Sequence, residues 1–121
     1  MQKKLSRNHW RDFADSLSRS HDGWLISVFV KPRFGKRECI ARDVPFRGLT
    51  AELHGEHQAV IIATEGASHA SHIIAHPREM FVRTSASGAD EAVAVIDDQG
   101  VETTAEFRSP MPVVAVDGIA P

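Results

Sequence analysis

A single cysteine, Cys39, is all the thiol this chain possesses. It excludes an internal disulfide framework and every zinc motif that needs several thiolates. No apolar run approaches the roughly 18 residues that a membrane helix requires. Met1-Gln2-Lys3-Lys4 leads into a polar amphipathic stretch rather than an apolar core, so no signal peptide is expected. Also missing are a P-loop, a glycine-rich dinucleotide fingerprint and a His-Glu-x-x-His motif. No internal repeat, low-complexity tract or long linker divides the chain. With 121 residues, below the rough prior of about 150 per domain, residues 1–121 are expected to form one soluble, cytoplasmic domain.

Two features stand out in what is present. Hydrophobic residues at 42% and charged residues at 25% are globular values, but the charge is unevenly placed. Residues 1–47 carry eleven Lys/Arg against five Asp/Glu, a net of +6, and residues 48–121 carry three against eleven, a net of −8. Such asymmetry suits a nucleic-acid or acidic partner; two halves neutralising each other across one fold would also produce it. The second feature is histidine. Five of the seven fall between His54 and His76.

Trp10, Phe13, Ala14 and Leu17 follow the i, i+3, i+4, i+7 spacing of an amphipathic helix, with Arg11, Asp12, Asp15, Ser16 and Arg19 opposite. Ser6 is the expected N-cap, Leu5 is placed to staple onto Trp10, and Asp22-Gly23 ends the helix. Strands are expected next. Trp24–Lys31 reads as a central strand covered on both faces, with Lys36–Asp43 as its hairpin partner across Pro32-Arg33-Phe34-Gly35. Leu49, Ala51 and Leu53 alternate with polar residues, and Gln58–Thr64 follows. Shorter strands are expected at Ser71–Ala75 and Met80–Ser85. Glu91–Asp97 and Val101–Phe107 form a hairpin around Asp98-Gln99-Gly100, and Val113–Val116 reads as an edge or partner-docking segment. The expected fold is α+β, an N-terminal helix packed on an antiparallel β-meander, curled or barrel-like.

These residues carry a resemblance. The Trp10 helix leading into His21-Asp22-Gly23-Trp24, then Ala41-Arg42-Asp43-Val44-Pro45 and Phe46-Arg47-Gly48-Leu49, resemble a family of small bacterial proteins classed as a domain of unknown function. So do His72–Pro77, Gly88–Ala92, Phe107–Pro110 and Val116–Ile119. The resemblance spans nearly the whole chain, implies one domain, and assigns no catalytic residue.

Three functions are weighed on the residues. A non-enzymatic binding domain, acting through its sheet surface or by self-association with no cofactor, is favoured. The second is a nucleic-acid module built on the hairpin, where Lys31, Arg33, Lys36 and Arg37 surround Phe34; cations track phosphates while a ring stacks on a base. A continuous positive stripe from Arg33 to Arg47 would favour it. The third is a metal-dependent protein or small enzyme using His54, His57, His69, His72 and His76. On a strand, His72 and His76 lie about 13 Å apart at about 3.3 Å per residue, too far to share one zinc. Ser20-His21-Asp22 spells a hydrolase triad, but consecutive residues at a helix end diverge. Cys39 is expected in the core with Ala41.

Overall fold

The structure, a computed structural model, describes residues 1–65 and 71–108. His69 and the Val113–Val116 segment lie outside them. The described residues form β1 (Gln2–Leu5), α1 (Trp10–Ser20), β2 (Leu25–Lys31), β3 (Glu38–Glu52), β4 (Ala59–Thr64), β5 (Ser71–Ala75), β6 (Pro77–Thr84), β7 (Asp90–Asp97) and β8 (Glu102–Arg108). All eight strands join one antiparallel sheet in the order β1-β6-β7-β8-β2-β3-β4-β5. The α+β expectation holds in this broad form. The barrel does not: the ladder stays open, with β1 and β5 at its ends. Nor is it one sequential meander, because β8 returns to lie beside β2, and β1 pairs with β6.

One buried cluster draws side chains from α1 and from β2 through β8. A flat sheet of eight strands spaced about 4.8 Å apart would be too wide for that, so the sheet curls around its core. Trp10, Ala14 and Leu17 point into the cluster from α1, as their helical spacing requires. Ser6 makes no side-chain cap: a single 3₁₀ turn over Arg7–His9 precedes α1. Leu5 meets Trp10 through its carbonyl, which accepts from the indole Nε1–H at 3.0 Å. Gly23, with φ 85, turns the chain out of the helix as expected.

The long strand β3 corrects two expectations. Lys36–Asp43 and the Leu49 alternation are not separate strands but two halves of one. Its first half pairs with β2 and its second with β4. At the bend Asp43 takes φ 50 and its N–H donates to Ser27 Oγ at 3.1 Å, where the register with β2 slips. Beyond Pro45 the other edge of β3 would lie bare, and α1 covers it. Ser18 Oγ accepts from Leu49 N–H at 2.8 Å and donates to Leu49 C=O at 3.1 Å, standing in for a neighbouring strand.

Strand β2 is central in the order but covered on one face only, with Ile26 and Val28 buried and their neighbours partly open. Its apolar outward residues meet solvent and cross-strand partners instead of a second layer. Cys39 is likewise exposed, its Sγ directed at the Ala41 carbonyl at 3.3 Å, rather than in the core. The β7–β8 hairpin follows its reading closely. Thr103 and Ala105 are buried, and the loop closes on Gly100 with φ 81.

The two oppositely charged halves meet across the sheet. Lys4 pairs with Glu79 at 2.9 Å, Arg37 with Glu106 at 2.5 Å and Arg47 with Glu65 at 3.4 Å. Mutual neutralisation within one fold therefore accounts for part of the asymmetry. Among the described residues no helix is long and apolar enough to cross a membrane.

Candidate functional site

The β2–β3 hairpin projects Phe34 almost wholly into solvent, at 89% exposure. Turn residues put it there: the chain closes so tightly that a Cβ at Gly35 would come within 3.1 Å of the Pro32 ring, and the Phe34 side chain meets no core. Arg33 bends back over it, its guanidinium 5.3 Å from the ring centroid. The Arg33 stem also rests on the β7–β8 loop, so closely that a Cβ at Gly100 would come within 2.9 Å of Arg33 Cδ. Arg37 stacks 3.6 Å over Phe29 and holds Glu106 at 2.5 Å. Lys31 stands opposite Glu102 in the ladder, and Lys36 is exposed.

The outward face of the sheet continues from this hairpin. Phe81, Ala94, Thr104, Phe29 and Cys39 occupy one cross-strand row. Arg83 and Glu106 stand beside it, 3.7 Å apart. The face offers only a shallow hollow of about 80 Å³, bounded by Phe81, Arg83 and Ala94. Small-molecule sites run to roughly 300–1,000 Å³, so this surface suits a partner laid against it. Sequence reading found the hairpin cations but missed Phe29, Phe81 and Arg83. For Phe29 the signal was its opposite parity to Val28, readable only once one face of β2 is known to be open.

The basic residues do not form an unbroken stripe. Arg47 is shared between Asp22 at 3.7 Å and Glu65 at 3.4 Å, and Arg108 meets Asp43 at 3.1 Å. Carboxylates thus interrupt the path from Arg33 to Arg47.

The described histidines do not converge on one point. His54 Nε2 lies 2.5 Å from an Arg11 guanidinium nitrogen, and His57 lines the same cleft beside Asp15 and Glu52. His76 sits at the corner between β5 and β6 with φ 52. His72 is on β5, as the strand expectation placed it, opposite buried Ile62. Among the described residues no three His, Cys, Asp or Glu side chains gather as a metal site. Ser20-His21-Asp22 forms no triad. Ser20 Oγ lies 2.7 Å from His21 Nδ1, but Asp22 turns to Arg47, and the His21 ring packs on Trp24 and Phe107.

His72 supplies a pH-dependent prediction. Its Nε2 is buried and has no hydrogen-bond partner among the described residues. Burial pushes its pKa below the ordinary 6.5. Well above 6.5 the imidazole is neutral in both states, so its burial contributes nothing that changes with pH. As pH falls below 6.5, the unfolded chain takes up the proton first, so stability is lost until the lower folded pKa is passed. Urea denaturation of wild type and His72→Leu at pH 8 and pH 5 should show a smaller acid loss in the variant. Equal losses would mean that His72 is hydrated in the folded state.

The family assignment agrees with the resemblance noted in the residues. No curated protein and no solved structure matches the chain. The model of the family described as "Family of unknown function (DUF5335)" matches residues 1–116, and the chain belongs to that family.

Proposed function

We propose that this protein is a non-enzymatic binding domain that engages a protein partner through the β2–β3 hairpin and the outward sheet face beside it. The observation that carries this reading is the exposed Phe34 beneath the Arg33 guanidinium, with Arg37 stacked on Phe29 in the same hairpin. Protein interfaces draw most of their binding energy from a few aromatic and arginine side chains. Phe34 supplies apolar area, while Arg33 and Arg37 are already ordered over rings, which lowers the entropy cost of docking. The interleaving of cations with Glu102, Glu106 and Asp43 favours a partner of mixed charge over a phosphate backbone, which rewards unbroken positive potential.

Capture from native lysate by the full chain and by its Phe34→Ser variant tests the reading. Phe34 touches no core, so the variant should melt with wild type while losing a partner that wild type retains. Fluorescent 20-nucleotide strands, single and double, should bind weakly in 50 mM salt and hardly at all in 200 mM. Identical capture by both proteins would refute the hairpin as the contact surface. Tight nucleic-acid binding that disappears when Lys31, Arg33, Lys36 and Arg37 all become Ala would establish the nucleic-acid reading instead.

A further inference from the structure

The corner where β5 becomes β6 combines backbone strain with an unusually placed cation. His76 adopts φ 52, a left-handed conformation that a residue with a Cβ enters at some cost. Two hydrogen bonds hold it: its N–H donates to the Gln58 carbonyl at 3.0 Å, and its carbonyl accepts from Asp98 N–H at 3.0 Å. Arg7 reaches this corner from the turn before α1. Its guanidinium lies 4.6 Å over the Trp10 ring, donates to the Pro77 carbonyl at 3.0 Å, and donates also to Gln58 Oε1. Gln58 is oriented in turn, because its amide nitrogen donates to the carbonyls of Leu53 at 3.3 Å and Gly55 at 3.4 Å.

Arg7 is therefore held at three points, none of them a carboxylate. Among the described residues Arg37, Arg47, Arg83 and Arg108 each meet an acidic side chain, whereas Arg7 and Arg78, like Arg11, Arg19, Arg33 and Arg42, meet none. Both line two open surface hollows. One, of about 430 Å³, includes Glu56, Gln58, His76 and Asp98, and the other, of about 370 Å³, includes Lys4, Ser6 and Trp10. A guanidinium has five N–H donors, and Arg7 spends two, leaving a fixed positive fork without a counter-ion. Such a fork matches the planar or tetrahedral oxygens of an oxyanion.

We propose that this corner is an oxyanion-binding site in which Arg7 and Arg78 take the carboxylate or phosphate of a small polar molecule. Glu56 and Asp98, which line the same hollow, are available to its hydroxyl or ammonium groups. The two carboxylates repel a polyanion, so a compact ligand with one anionic group fits and a nucleic-acid backbone does not. Because Arg7 is already ordered by Trp10, Pro77 and Gln58, binding needs little further immobilisation there.

The test is an NMR titration of the full ¹⁵N-labelled chain with inorganic phosphate and, separately, with acetate, at ionic strength held constant by chloride. Saturable shifts are expected at the amides of His76, Arg78 and Glu79 and at Arg7 Nε. Saturation by phosphate alone assigns a phosphate ester, saturation by acetate alone a carboxylate, and saturation by both an oxyanion of either kind. Arg78→Ala, which removes no side-chain bond among the described residues, should weaken the apparent affinity by about tenfold or more, as loss of a charge-assisted hydrogen bond does. Arg7→Lys should weaken it too, since an ammonium keeps the charge and loses the fork. Linear, non-saturating shifts with both anions would overturn the proposal, as would an Arg78→Ala titration superimposable on wild type.

Discussion

Trp10→Ala lowers the stability of this domain by about 3–5 kcal/mol, the usual range for emptying a large buried aromatic site. The ring is 1% exposed and is the first residue of α1. Three structures converge on it. Its apolar surface enters the common core, its Nε1–H holds the Leu5 carbonyl at the end of β1, and its face supports Arg7. Truncation opens a cavity and also leaves the Leu5 carbonyl without that donor. A domain has roughly 5–15 kcal/mol in total, so the loss is a large share. The melting midpoint should fall by on the order of 10–20 °C for a chain of this size. Urea denaturation at unchanged slope checks it, with Arg7→Ala as the control that removes the stacked cation and its bonds to Pro77 and Gln58 but leaves the indole in place. A Trp10→Ala protein that melts with wild type would show that α1 is not anchored by this ring.

Phe46→Ala should cost a comparable amount, about 3–5 kcal/mol. Phe46 is 1% exposed and stands where β3 changes partner from β2 to β4. Its ring meets Phe107 edge-on, centroids 5.0 Å apart with the planes at 89°, so β3 and β8 are tied across the core. The backbone of the same residue accepts from Gly23 N–H at 2.8 Å and donates to the Trp24 carbonyl at 2.7 Å. Those bonds survive truncation, which isolates the contribution of the ring. Phe46→Leu, keeping most of the volume, should cost under about 1.5 kcal/mol. Equal costs for Ala and Leu, by chemical denaturation, would mean that ring shape against Phe107 matters more than filled volume.

The legible parts of the fold were those in which one face is buried at a regular period. Trp10, Ala14 and Leu17 read as a helix stripe because 3.6-residue spacing has no other use there. Leu49 and Ala51 read as half-buried strand positions, and they are. Glycine at positions 23 and 100 marked turns because both adopt a positive φ that costs other residues energy. The four residues Gln2–Leu5 gave no such sign. They form a strand only because β6 offers an edge, pairing Gln2 with Arg83 far along the chain.

The candidate sites divide in the same way. The cations and the phenylalanine of the hairpin could be named from composition and turn chemistry alone. Their environment could not, since Arg37 depends on Glu106 and Arg33 on the backbone at Gly100, both brought near by the β2–β8 pairing. Arg7, Gln58 and Arg78 form no motif, being separated by long stretches of chain, and only the bend through His76 brings them together. By itself the sequence determined which residues turn inward along α1, the second half of β3 and the β7–β8 hairpin, because periodicity and turn residues act locally. Which strands become neighbours, which charges find partners and which are left without one were decided by the tertiary structure, because strand order and long-range register depend on how the whole sheet curls around its core.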